Sequence, residues 1–325
     1  VNPSEPEIEH SVARGNPSLL GAAFCASSAL LYALTNICLR WLAIDADPMW
    51  SICVKETVST VIVGPLLVYY ALRGVRLMPN RALLGRILLV GVATQLAGNV
   101  PVLWSLGVVG LAITIPVVVG VTLVASALLG HVLLGERVDR RSALALGLLI
   151  VAVVLLSLGA GQTNQSVAGQ TGARVGPLWV LLGVAAACLA GSVFALLSIT
   201  IRSSMTAGVR PSVVVVLVTG MGLVCLGPLS LWHLGPQGIL ATRPADLQIM
   251  LLAGLLNLAA FASITKGLQL TTIVHANVLS ASQTALAAIA GMVIFHEPPN
   301  SAMLLGVTCT VVGIMLIDHT GPRDV

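Results

Sequence analysis

Residues 110–133 read GLAITIPVVVGVTLVASALLGHVL, twenty-four positions without one Asp, Glu, Lys or Arg. As a helix this stretch is about 36 Å long at 1.5 Å per residue, and a hydrocarbon core of about 30 Å needs about 20 apolar residues to cross it. Continuous apolar runs point to helices, because barrel strands alternate apolar and polar over about ten residues. Nine further runs of this kind are cut by short polar or Gly/Pro-rich breaks. Spans are therefore expected near 19–42, 49–72, 82–104, 110–133, 142–159, 177–201, 211–232, 246–265, 272–294 and 301–317.

The whole chain agrees with that stretch. Of its 325 residues 57% are hydrophobic and 9% charged, with a mean hydropathy of +1.01, whereas a soluble domain carries about 25% charged residues. Too few polar groups remain to cover a water-facing surface, which excludes a soluble enzyme, a disordered protein and a nucleic-acid binder. The six cysteines (25, 38, 53, 188, 225, 309) lie inside apolar runs and read as small buried hydrophobes rather than a disulfide framework. The first seventeen residues are polar, with no apolar stretch leading to a cleavage site, so the first span is expected to stay as an anchor.

Loop cations set the expected orientation. With the N-terminus cytoplasmic, that side holds Arg14, Arg73, Arg76, Arg81, Arg86, Arg137, Arg140, Arg141, Arg202, Arg210, Lys266 and Arg323, against Arg40, Arg174 and Arg243 opposite. Both termini are accordingly expected inside, in a plasma or inner membrane. Residues 160–176, rich in Gly, Gln, Ser and Thr, are expected to form a periplasmic linker, and Asn164-Gln165-Ser166 matches a glycosylation sequon. The organisation that follows is a polar cytoplasmic tail (1–18), a first five-helix repeat (19–159), the linker, a second repeat (177–317) and a cytoplasmic tail (318–325).

Self-comparison supports the division. A shift of 162 aligns Gly21 with Gly183, Tyr32 with Phe194, Ala33 with Ala195, Leu34 with Leu196, Ile37 with Ile199 and Arg40 with Arg202. A shift of 161 aligns Glu136 with Glu297, and a two-residue gap then brings Gly147 to Gly306. Five spans per half make the second half enter from the opposite side. The expected fold is an all-α membrane protein of ten transmembrane helices, two inverted five-helix repeats around a central cavity, the usual architecture of secondary transporters.

Three stretches carry a family resemblance: Pro116, ALLGHVLLGERVDRRSALALG at 127–147, and AAIAGMVIFHEPPNSAMLLG at 287–306. They resemble the drug/metabolite transporter superfamily in its ten-helix EamA-type branch. In that family the fourth and ninth helices end in a Gly-Glu-type motif. Gly135-Glu136 satisfies it, whereas His296-Glu297 departs at its first position and Asn277 stands opposite Pro116 where many members have proline. The resemblance implies a small-metabolite exporter, with amino acids first and lipophilic drugs or cations next, and peripheral fifth and tenth helices. It also implies a cavity enclosed by the other eight.

Polar residues inside the spans are the candidate site, because charge in a membrane interior usually faces a cavity or a partner. Lys55 and Glu56 lie well inside the second span. Being consecutive they point about 100° apart, so each is expected to need its own partner or water. Lys55, where the resemblance implies a basic residue, reads as an anion contact, which would favour sugar phosphates or other organic anions as the alternative cargo, or as a snorkelling cation. Glu56 reads as a proton-coupling carboxylate or as part of a structural network. Ser28, Tyr32, Thr35 and Asn36 form one stripe of helix one, with Phe194 and Ser198 at the repeat-related positions of helix six. Gln95, Asn99, Pro101 and Trp104 lie in helix three, where Asn99 is expected to satisfy the carbonyl that Pro101 frees. Asn257 and Phe261 share a face of helix eight. In helix nine Asn277, Ser280 and Thr284 form a stripe with Gln283 beside it, and His275, on another face, reads as a hydrogen-bonded structural histidine or as a second candidate proton carrier.

Other chemistries find no support. There is no Gly-rich loop ending in Gly-Lys-Ser/Thr for a nucleotide, no Cys/His spacing for a metal, and Ser263-x-x-Lys266 is a chance resemblance to a Ser–Lys nucleophile pair. No catalytic residue, metal or cofactor is expected. The expected partners are a small-molecule substrate, the bilayer and, if transport is coupled, protons, in a monomer or homodimer.

Overall fold

The computed structural model describes residues 19–74, 78–134, 140–270 and 273–318. They form helical rods: α1 (Leu19–Asp45), α2 (Pro48–Leu72), α3 (Arg81–Val109), α4 (Leu111–Leu134) and α5 (Arg140–Thr171) in the first half. The second half holds α6 (Pro177–Thr206), α7 (Pro211–Leu240), α8 (Pro244–Leu270), α9 (Ile273–Ile294) and α10 (Ser301–Asp318). Eight of them, α1 to α8, are long and apolar enough to cross a membrane, while α9 and α10 contribute shorter apolar stretches, Ser282–Ile294 and Ser301–Leu316. Large apolar side chains such as Leu128, Leu158, Val224 and Trp232 stand exposed on the outside of the bundle, as hydrocarbon contact requires.

Local chemistry sets the helix starts. Pro48, Pro177, Pro211 and Pro244 each stand first in their helix, where the missing N–H costs nothing and the fixed φ suits the helix. Asp47 accepts from the Trp50 N–H at 2.9 Å, Asn80 from Leu83 at 2.8 Å and Asn300 from Met303 at 2.8 Å, the side-chain caps these residue types favour. Near its C-terminal end α7 turns at Gly235, whose φ of 67° is followed by Pro236.

Two local expectations are corrected. The stretch 160–171 is helical: α5 continues to Thr171, and only the residues after it leave the helix. Three of its polar side chains bond to backbone carbonyls of neighbouring elements. Asn164 donates to Val108 O at 2.9 Å, Gln170 to Phe295 O at 2.9 Å and Thr171 to Gly107 O at 2.9 Å. Tertiary bonding thus overrides a composition that favours loops. Asn164 is 1% exposed, so the folded packing has no room for a glycan on it. In α3 the proline is accommodated differently from expectation. Thr94–Asn99 forms a π-helical turn, and the Val100 N–H reaches Gln95 O. The register shift absorbs Pro101 and frees the Asn99 side chain for other partners.

Helix pairing is symmetric between the halves. α1 packs on α8 as α6 packs on α3; α4 lies on α6 as α9 lies on α1; α2 meets α7, and α5 meets α10. Exchanging α1–α5 with α6–α10 maps this scheme onto itself. The α5–α10 pair is peripheral and the remaining eight helices surround the centre.

The turns α1–α2, α3–α4, α5–α6, α7–α8 and α9–α10 gather at one end. Asp45 in the first meets Arg243 in the fourth at 2.8 Å, and Glu297 in the fifth reaches the backbone that opens α4. Hydrogen bonding to Asp246, then to Asp45, holds the exposed Arg243 guanidinium above its ordinary pKa. This turn-bearing end is filled by a continuous core in which Leu103, Leu106, Leu111, Ile113 and Ile52 have no exposure. Towards the other end the core is small, centred on Ile87, Val213 and Val214, and the middle of the bundle is hollow.

Candidate functional site

The hollow is a cavity of ≈ 550 Å³ lined from all eight central helices, within the usual range of about 300–1,000 Å³ for small-molecule sites. It runs from mid-bundle, at Leu39 and Val102, to Pro211 at the start of α7. The packed core closes it towards the turn-bearing end. Tyr32, Phe194 and Phe261 supply aromatic surface, and Asn36, Ser198, Asn257 and Gln283 supply polar groups.

The polar wall is a hydrogen-bonded chain across three helices. Lys55 Nζ lies 2.7 Å from Glu56 Oε1, with both side chains at most 5% exposed. Asn99 Nδ2 donates to Glu56 Oε1 at 3.2 Å and to Gln95 Oε1 at 2.8 Å, and Gln95 Nε2 donates to Val218 O at 3.0 Å. The π-turn of α3 begins one residue before Gln95 and ends on Asn99, in line with the frequency of such bulges at functional sites. Gly222 on α7 makes room: a Cβ there would stand 2.9 Å from Glu56 Cβ and 3.3 Å from Gln95 Cδ.

This overturns the expectation that Lys55 and Glu56 need separate partners. Adjacent Cβ directions do diverge by about 100°, but four methylenes on one side and two on the other let the tips meet. The desolvated wall favours that closure, since each charge would otherwise lie buried without a counter-ion.

Other candidates fall elsewhere. Trp104 does not line the cavity; its ring packs 6.5 Å from Trp179. Thr284 is fully buried beside the cavity wall, its hydroxyl unpartnered among the described residues. Ser28, on the α1 stripe, donates to Ala260 O at 2.9 Å and serves the α1–α8 contact. The side chains of His275, Asn277 and Ser280 on α9 lie outside the described residues, as does Glu136. Thr94, Thr122 and Ser59 line the cavity and were not singled out from the sequence; lone hydroxyls in apolar runs give no signal until the facing helices are known.

A second buried ion pair sits in the closed end. Arg40 Nε donates to Glu297 Oε1 at 3.2 Å with both side chains fully buried. The same carboxylate accepts from the N–H groups of Leu111 at 2.7 Å and Ala112 at 2.8 Å, so it caps the N-terminus of α4, where the helix dipole favours negative charge. Arg40 Nη2 donates to Gln170 Oε1 at 3.0 Å, and the guanidinium lies 5.0 Å from the Phe295 ring centre. Gly110, with φ +83°, opens α4 directly against Glu297, where a Cβ would fall 2.5 Å from the carboxylate.

The EamA-like transporter family model matches residues 19–158 and again 178–317. The chain belongs to the EamA-like transporter family. It is accordingly an integral, multi-pass membrane protein built from two EamA repeats. One solved structure, titled only "Crystal structure of protein", is similar with a TM-score of 0.57 at 16% identity, covering 91% of this chain and 94% of that one; it shows a shared fold. None of the curated proteins matches.

In this EamA-like chain the departure at His296 has a backbone explanation. His296 has φ +52°, the left-handed region that glycine enters freely and histidine more often than most residues. That turn, with the Glu297 N–H bonded to Gly291 O at 3.0 Å, swings the glutamate back under α4.

Proposed function

We propose that the protein is a secondary carrier that moves a small zwitterionic metabolite by alternating access, with amino acids as the first cargo class and export as the direction. The observation that carries this reading is the Lys55–Glu56 pair, 2.7 Å apart on the wall of a ≈ 550 Å³ cavity closed at one end. A cargo bearing both an ammonium and a carboxylate can replace that pair charge for charge. Its side chain would lie against Tyr32, Phe194 and Phe261, with Asn36 and Asn257 as further polar contacts.

The two halves are read as inverted repeats of five spans each, placing the turn-bearing end outside an inner membrane and both termini in the cytoplasm. The loop cations support that orientation. The cavity then faces the cytoplasm, the side from which an exporter loads. Sugar phosphates and other organic anions rank second, because Glu56 already neutralises Lys55; organic cations rank third, because Lys55 occupies Glu56.

Substrate counterflow in proteoliposomes at zero pH gradient tests the reading, with L-phenylalanine, L-leucine, glucose 6-phosphate and tetraphenylphosphonium as probes. Exchange of the amino acids is expected. Exchange of glucose 6-phosphate alone would transfer the assignment to anions, and exchange of none would remove it.

A further inference from the structure

The Lys55–Glu56 contact also bears on what the empty protein can do, an inference that rests on the carrier reading above. A carrier reverses its faces through states in which the site is shut off from water. An uncompensated charge in the vacant cavity makes those states costly, because a buried charge without its partner keeps its desolvation penalty and loses the attraction that offset it. Carriers built that way are held to one-for-one exchange: only the loaded form crosses.

Here the vacant site carries no net charge among the described residues. Among the described residues Arg40, Lys55, Glu56 and Glu297 are the buried charged side chains, and the first and last are joined to each other away from the cavity. Only Lys55 and Glu56 line it, and they lie in contact. Nothing else described bonds Lys55 Nζ, so the ammonium is held by one contact and a flexible stem. Glu56 is held more firmly, its Oε1 also accepting from Asn99, which is itself tied to Gln95 and the α7 backbone. The fixed partner is the anion and the movable one is the cation. An arriving ammonium group can take the place of Lys55 on Glu56, and the released Lys55 can meet the carboxylate of the same molecule.

We propose that Lys55 is a built-in stand-in for the cargo's ammonium group: resting on Glu56, it lets the empty carrier change faces, so that the protein carries net flux and is not confined to exchange. Lys55 is then a positioning residue of the unloaded half-cycle as well as a cargo contact.

The test compares net efflux with exchange in the same vesicles, using labelled L-phenylalanine. Wild type is expected to show comparable rates. Lys55→Gln strands the Glu56 carboxylate, and its ratio of net efflux to exchange should fall by about 100-fold or more, the scale set by removing one partner of a buried pair. Lys55→Gln with Glu56→Gln removes the stranded charge and should restore the ratio even where both rates are lower. An unchanged ratio in Lys55→Gln, or no recovery in the double variant, overturns the proposal.

A second measurement needs no cargo. Cys38 is 9% exposed in the closed end; with the other five cysteines replaced by alanine, a maleimide reacts with it when that end opens. Steady labelling of the empty protein, slowed by Lys55→Gln and restored in the double variant, is the expected result. Absence of labelling in the empty wild-type background, or equal rates in all three, overturns the proposal. Should wild type exchange no amino acid while this labelling pattern holds, the cargo assignment fails and the role of Lys55 in letting the empty protein change faces survives.

Discussion

Replacing Glu297 by glutamine should be among the most destabilising single changes in the molecule. The carboxamide matches the carboxylate in size but offers one acceptor oxygen where three donors converge: Leu111 N–H at 2.7 Å, Ala112 N–H at 2.8 Å and Arg40 Nε at 3.2 Å. Its NH2 group must face one of them donor to donor. Arg40, fully buried, loses its counter-charge while Gln170 supplies only a neutral acceptor. Breaking a buried pair by removing one partner costs about 3–5 kcal/mol. Losing part of a helix cap adds some fraction of about 0.5–2 kcal/mol, so a total near ~5 kcal/mol is expected. The five tryptophans make thermal unfolding in detergent easy to follow, and the drop should be of order 10 °C. The diagnostic comparison is the double variant Arg40→Gln/Glu297→Gln. It removes the stranded cation along with the anion, and should melt above Glu297→Gln alone although it carries one more substitution. A single variant that melts within about 2 °C of wild type, or a double variant that melts lower still, would refute the assignment of this pair as the fastener of the closed end.

Gly222→Leu should abolish transport by pressing α7 away from Glu56 and Gln95, an overpacking cost of about 1–3 kcal/mol, whereas Gly220→Ala, open to space on the same helix, should leave uptake unchanged in the same vesicle assay. Asn164→Ala should lower stability by about 1–3 kcal/mol through the orphaned Val108 carbonyl, and mass spectrometry of protein from a glycosylating host should find the sequon bare. Trp104→Phe should leave the KM for cargo unchanged, because that ring lies against Trp179 and off the cavity; a several-fold KM change would place it in the binding surface after all. Arg243→Ala should alter neither melting nor transport, since water and salt screen its exposed contacts to Asp45 and Asp246.

Membrane class and helix type were legible from residues such as 110–133 because hydrocarbon leaves a backbone no alternative to internal hydrogen bonds. Tyr32, Asn36, Asn257 and Phe261 were legible as a group because polar or aromatic residues at helical spacing in an apolar run mark one face. The reach of α5 was not, since the side chains that hold 160–171 in place bond to carbonyls of α3 and of the α9–α10 turn. Nor was the Lys55–Glu56 contact: helical spacing describes where Cβ atoms point, not where the ends of two long side chains can meet. Arg40 stood out as a loop cation and a repeat-aligned residue, and Glu297 as the end of a helix motif; nothing in the sequence joined them. They are 257 positions apart, and Glu297 sits before two prolines in what reads as an ordinary turn. Its use as the cap of α4 depends on the left-handed turn at His296 and on the missing side chain at Gly110, which become informative only together.

The two buried ion pairs invite one explanation and need two. A buried pair is often no more stable than apolar residues of the same volume, so stability alone accounts for neither. They differ in how the carboxylate is held. Glu297 has both oxygens engaged, one by Leu111 N–H and Arg40, the other by Ala112 N–H, with no exposure to solvent or cavity. Each partner is backbone or a rigid planar cation, so no small ligand can take a place there without dismantling the start of α4. Glu56 presents the opposite design. Its described contacts fall on Oε1, from a flexible ammonium and a side-chain amide, and it lines open volume. One carboxylate is saturated and shut away, as a fastener between helices must be; the other keeps bonding capacity facing a cavity, as an exchangeable contact must. On that difference rests the assignment of cargo chemistry to Lys55 and Glu56, and of closure to Arg40 and Glu297, although all four carry the same kinds of charge in the same apolar bundle.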